Sequence, residues 1–173
     1  GIEPYPFIGM MVRAEEGEYR PVTKEMADKM LAGLDLMWGL ANYPNARLYV
    51  EKRVNLENWV GEGESGTSDA FIVDTFNWRI VDFDWKWGGN PVHPEFNDQA
   101  TLYTLGVWDT YAEDSFYEAY LEMPEPKKSW PEMRDSIEAV VIIEQPRAAG
   151  GGGVWRTTMG KLFAEGKMIR RDA

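Results

Sequence analysis

Three side chains near the middle of the chain, Asp69, Asp84 and Lys86, have types and spacing suited to metal-assisted hydrolysis. Ala70-Phe71-Ile72-Val73 and Trp78-Arg79-Ile80-Val81 are β-forming apolar runs separated by a polar turn at 74–77. Pairing the two runs about that turn brings Asp69 beside Asp84. Alternation along the second strand sends Asp84 and Lys86 to one side and Phe83, Trp85 and Trp87 to the other. Two carboxylates and one ammonium then share the open end of a hairpin. Carboxylates suit a hard divalent cation, Mg²⁺ or Mn²⁺, and a neighbouring lysine can hold or deprotonate a water. The same triplet also reads as a solvated strand face, whose cross-strand ion pair contributes little.

The residues around the triplet occur in a recognisable order. Gly66-Thr67-Ser68-Asp69 precedes Asp84-Trp85-Lys86-Trp87-Gly88, and Asn97-Asp98-Gln99-Ala100-Thr101-Leu102-Tyr103 follows. Upstream lies Glu51-Lys52-Arg53-Val54, and Gln145-Pro146-Arg147 closes a later apolar run. Together these segments resemble the PD-(D/E)XK nuclease superfamily in its RecB-like and lambda-exonuclease-like branch, with the closest likeness to a phage-encoded family of that branch. The resemblance covers roughly Val22 to Leu162. It implies a restriction-endonuclease-like core in which Asp69 and Asp84 ligate Mg²⁺ or Mn²⁺, with the Trp85 carbonyl as a further ligand and Glu51 toward a second ion. It also implies that Lys86 orients and helps to activate the attacking water, and that Gln99 reaches the active centre or a substrate phosphate with Tyr103 in support. The related families carry a histidine on an N-terminal helix, and this sequence has none before His93. By residue type alone, Glu51 serves equally as a surface partner for Lys52 or Arg53, Gln99 as an exposed polar residue, and Tyr103 as core.

The elements that must position these residues follow from the hydrophobic pattern. Residues 1–20 are poorly patterned, with Pro4, Pro6 and the acidic group Glu15-Glu16-Gly17-Glu18, and Phe7, Ile8, Met10 and Met11 as apolar anchors. Thr23 is a candidate N-cap for a helix that stops near Asn42, before Tyr43-Pro44. Met26, Met30, Leu31, Leu34, Met37 and Trp38 recur at helical spacing and form its packing face. Residues 47–60 are strand-like. His93 falls in a loop, and a helix is predicted from Glu95 to Tyr111, with Gln99 and Tyr103 one turn apart. Residues 114–135, interrupted by Pro124, Pro126 and Pro131, are predicted to be an insertion. Ala139-Val140-Val141-Ile142-Ile143 reads as a buried strand. A glycine turn at 150–153 leads to a partner strand at 154–157 and a final amphipathic helix from Thr158 to about Met168. The expected fold is a single α/β domain over residues 1–173, with a mixed sheet of four or five strands flanked by helices.

Composition narrows the chemistry. The 173 residues include no cysteine and one histidine, which excludes thiolate and two-histidine metal sites and is compatible with a cytoplasmic location, that of the host if the chain is phage-encoded. No apolar run is long enough for a bilayer and no signal-peptide pattern is present, so no membrane is expected. A net charge of −11 opposes a nucleic-acid partner in general, although a metal site accounts for part of it. Local basic candidates are Lys127, Lys128, Lys161, Lys167, Arg170 and Arg171. Eight tryptophans, scattered over different elements, are better explained by burial than by sugar or base stacking. The function these observations support is a metal-dependent DNA exonuclease acting in recombination or replication, with DNA as partner and with a homo-oligomer or a phage recombination protein as further partners. The alternative is a weakly active or inactive nuclease-fold module that binds nucleic acid or protein.

Overall fold

A computed structural model describes residues 4, 6, 8–13, 19–145 and 147–172. Phe7, the group Glu15 to Glu18 and Pro146 lie outside the described residues. The chain divides into two compact units, residues 1–42 and 43–173, where the sequence predicts one domain.

In the first unit, the short antiparallel strands β1 (Met11–Arg13) and β2 (Tyr19–Pro21) precede helix α1 (Lys24–Ala41). Thr23 caps α1 as its spacing predicts, its Oγ1 accepting the Met26 N–H at 3.2 Å. The helix ends at Asn42, because Tyr43 precedes a proline and is pushed out of the helical region. Met26, Met30, Leu31, Leu34 and Met37 are buried or half-buried along it, whereas Trp38 is exposed.

The second unit is built on a mixed sheet of five strands in the order β3 (Ala46–Asn55), β4 (Ser65–Asp74), β5 (Arg79–Trp85), β6 (Glu138–Glu144) and β7 (Gly153–Thr158). Neighbours run antiparallel except β5 and β6, which are parallel and are joined by the helical segment between them. That segment comprises α2 (Asp98–Val107), a π-helical turn (Trp108–Ala112), α3 (Glu113–Leu121) and α4 (Trp130–Ser136), and α5 (Met159–Asp172) follows β7. The sheet and these four helices make the expected α/β architecture.

One core joins them. Val54, Phe71, Val73, Ile80 and Ala139 from the sheet meet Leu105, Val107, Trp108, Ala112, Phe116 and Leu162 from the helices. Each large side chain removed from water here contributes roughly 1.5–3 kcal/mol. The helix expected from Glu95 begins only at Asp98, because Asn97 is the N-cap and Phe96 has φ +55°. It does not stop at Tyr111. The π-helical turn carries it into α3, and in this path Trp108 stacks on Phe116 with ring centroids 6.0 Å apart. Within residues 114–135, Phe116 is fully buried and Trp130 packs against the same core.

Candidate functional site

The site lies where β4 and β5 emerge from the sheet, opposite the hairpin turn. Ala70 pairs with Phe83, so Asp69 and Asp84 are the next opposed positions. Along β5, Ile80 belongs to the core beneath the helices and Asp82 bonds to α2, which places Asp84 and Lys86 on that same face by alternation. The Lys86 ammonium lies 3.0 Å from Asp84 Oδ1 and donates to Gln99 Oε1 at 3.1 Å. Asp69 turns across the strand end, its Oδ2 accepting the Trp85 N–H at 2.8 Å. The Lys86 N–H donates to the Glu144 carbonyl at 2.9 Å and fixes the end of β5 against β6. Asp69, Asp84, Trp85, Lys86 and Gln99 are thus brought together.

Glu51 is placed differently. Val50 pairs with Ala70 and Lys52 with Ser68, so Glu51 stands opposite Asp69 in one cross-sheet row, but its side chain is exposed. Among the described residues no group of three or more His, Cys, Asp or Glu is disposed to hold a metal ion. Glu51 is therefore not part of a preformed cage with Asp69 and Asp84. Its backbone is unusual, with φ +50°, a conformation that costs a non-glycine residue on the order of 1–3 kcal/mol.

This outlier accounts for a double irregularity in the sheet. Tyr49 and Val54 are five residues apart yet both contribute to the core beneath the helices. Phe71 is in that core, and Gly66, also five residues away, faces the Tyr103 ring so closely that an added Cβ would lie 2.5 Å from Cε1. Regular alternation would put residues five apart on opposite faces. Because the pairing register is the same on either side of Glu51 and Asp69, both strands change face at the same step. The change carries Ser68 to the helix side, where its Oγ donates to Asp82 Oδ1 at 2.9 Å.

Asp82 is the residue that sequence inspection overlooks, although alternation from Asp84 points to it. It is buried, and its other oxygen accepts the Thr104 hydroxyl at 3.2 Å. Burial raises its pKa to about 7, opposed by these two hydrogen bonds and reinforced by the negative charges of Asp84 and Asp69. Asp84 is also held above the ordinary carboxylate range, first by burial and further by Asp69, with Lys86 acting in the other direction. Three carboxylates and a single ammonium leave this end of the sheet with surplus negative charge.

The loop between Lys86 and Gln99 is held by the residue that follows β6. Gln145 accepts the Val92 N–H at 2.7 Å and donates to the Gly88 and Asn90 carbonyls at 3.1 and 2.7 Å. Glycine at 151 is required, since a Cβ there would lie 2.1 Å from Gln145 Oε1, and Gly152, at φ +77°, donates to the Val92 carbonyl. The glycine turn thus packs against the Gln145 clamp. His93 is an exposed loop residue, and Tyr103 packs against the core. Of the basic candidates, Lys161, Lys167 and Arg170 are exposed on α5, whereas Lys127 is drawn onto Tyr120, 4.3 Å from its ring centroid.

A family model described as "Protein of unknown function (DUF2800)" matches residues 11–121, more than half of the chain. The matched stretch includes Glu51, Asp69, Asp82, Asp84, Lys86 and Gln99, and stops short of Gln145. No curated protein matches the chain.

Proposed function

The chain belongs to the DUF2800 family, and we propose that this member is a metal-dependent deoxyribonuclease of the PD-(D/E)XK type, acting as an exonuclease on DNA ends. The observation that carries the proposal is the convergence of Lys86 on Asp84 and Gln99 beside Asp69, at a strand end with more negative charge than its one ammonium can balance. Such a donor set fits Mg²⁺ or Mn²⁺. These ions retain several waters and are held by one or two carboxylates plus substrate oxygens, so a three-carboxylate cage is not needed. Asp69, Asp84 and the Trp85 carbonyl would hold the ion, with Glu51 toward a second one. When bound, it supplies polarisation of a phosphoryl oxygen and stabilisation of the leaving oxygen.

The remaining work belongs to the side chains. Lys86, pinned by Asp84 and Gln99, orients the attacking water and offsets charge that develops on the phosphate. Gln99 fixes the ammonium and offers its amide nitrogen to a phosphate oxygen. Asp82, tied to Ser68 of β4 and Thr104 of α2, holds the two strands and the helix in register behind the reacting groups. The test is digestion of end-labelled linear and closed circular DNA with Mg²⁺ or Mn²⁺, comparing the chain with Lys86→Ala. Metal-dependent loss of linear DNA alone, reduced by at least about 100-fold in the variant, is the expected result. Cutting of circles as well would make the enzyme an endonuclease with the same centre. No metal-dependent cleavage of either form would overturn the enzyme proposal. The net charge of −11 favours the second reading, a nuclease-fold module that binds without cutting, which would then take its place.

A further inference from the structure

Phe96 is the most exposed large hydrophobic side chain among the described residues, 79% accessible, where Phe76 is 59% accessible and Phe71, Phe83 and Phe116 are fully buried. Its backbone is at φ +55°, a genuine outlier for a bulky side chain. A conformation of that kind persists only where the surroundings impose it. Here they do. On one side Asn97 caps α2, accepting the Ala100 N–H at 3.1 Å and donating to the His93 carbonyl at 3.3 Å. On the other, Pro94 is buried against the glycine turn, its Cδ 3.8 Å from where a Cβ on Gly153 would be, and Gln145 clamps residues 88–92. One edge of the Phe96 ring meets half-buried Trp155, with centroids 6.3 Å apart at 43°. The rest of the ring is open to solvent on a fixed stem.

Phe96 lies three positions before Gln99, which touches Lys86. Fully extended, that interval spans at most ~11 Å. An aromatic ring whose backbone stem lies within this reach of Gln99 suits the base of a nucleotide beside the one cleaved at the proposed centre. The flanking carboxylates of Glu95 and Asp98 select the same part of the substrate, since they repel phosphate and leave the neutral π-face of a base as the favourable contact.

Building on the nuclease reading above, we propose that Phe96 is a stacking platform for an unpaired nucleobase at a DNA end, positioning that end over Lys86. The experiment uses the full chain carrying Lys86→Ala, in EDTA, with short single-stranded oligonucleotides bearing a fluorescent label or 2-aminopurine at successive terminal positions. Phe96→Gly is the informative variant, because it removes the ring while relieving the positive φ, so its melting temperature is expected to equal or exceed that of the parent. Binding should weaken on the order of 10- to 100-fold in Phe96→Gly, and quenching of one terminal 2-aminopurine should disappear. Phe96→Trp should retain both. Unchanged binding and quenching in Phe96→Gly, alongside cleavage by the chain with Lys86 intact, would overturn the stacking role and leave the nuclease standing. Absence of both oligonucleotide binding and cleavage would overturn the nuclease reading and the platform together.

Discussion

The two ends of the β4–β5 hairpin each bury an aspartate, and they treat it in opposite ways. At the turn, Asp74 is fully buried and surrounded by donors: the Asn77 N–H at 3.0 Å, the Asn77 side-chain amide at 2.8 Å, and Arg79 Nε at 2.9 Å. Its charge is matched by a guanidinium that is itself largely enclosed and stacked over Tyr43. At the other end, Asp82 has only two hydroxyls, and Asp84 shares one lysine with Gln99 while facing the charge of Asp69. Buried carboxylates that are fully partnered make a rigid turn. Those left short of positive charge can be completed by something that arrives from outside, a proton or a cation.

The comparison is most readily broken at the turn. Asp74→Ala leaves Arg79 as a buried, unpaired cation and is expected to lower unfolding free energy by about 3–5 kcal/mol, measured from urea denaturation. A loss below about 1 kcal/mol would mean the two ends do not differ in the way described. Asp82 tests the opposite end. Its folded pKa, about 7, lies above the ordinary value of 3.8, so between those limits the native state holds a proton that the unfolded chain has released. In EDTA, stability should therefore fall as pH rises from about 4 to 7 and level off above, by on the order of 3–4 kcal/mol. Asp82→Asn should flatten that profile and be the more stable protein at pH 8. A smaller effect sharpens the role of the cation. Mg²⁺ or Mn²⁺ at a hundredfold excess over its Kd should stabilise the chain by about 2.7 kcal/mol in thermal denaturation. Asp84→Asn should lose most of that response, whereas a substitution at the exposed Lys161 should keep it. The smallest effect expected is about 1–3 kcal/mol for Gly66→Ala, whose Cβ would strike Tyr103 and push α2 away from β4.

Much of this was open to inspection in one dimension. Alternating apolar positions, the polar turn before Arg79 and the Thr23 cap are local signals, and each produces its element within a few residues of the expected bounds. The approach of Asp69, Asp84, Lys86 and Gln99 followed from the order of motifs. What escaped notice depends on partners far away in the chain. Gln145 looks like a motif letter after an apolar run, yet it works by binding carbonyls and an N–H more than 50 residues earlier. Asp82 sits in a strand of apolar residues, and only the hydroxyls of Ser68 and Thr104 disclose that it is a tie between three elements. The left-handed backbone of Glu51, which redirects β3 at that residue, has no signal in the sequence.

That shared change of face also restricts how the chain can vary. Removing Glu51 alone, or Asp69 alone, would leave one strand out of phase with its neighbour and turn apolar residues toward water along half its length. Removing both together would rejoin Val50 to Lys52 and Ser68 to Ala70 as an ordinary ladder, and would delete two of the three acids in the row. A length change in β3 is therefore tolerable only with a matching one in β4, and the matched change erases the site. In a family of related chains, insertions and deletions should accumulate in the loops on either side of these strands and stay clear of the pair, because here a perfectly regular sheet and this row of carboxylates are mutually exclusive.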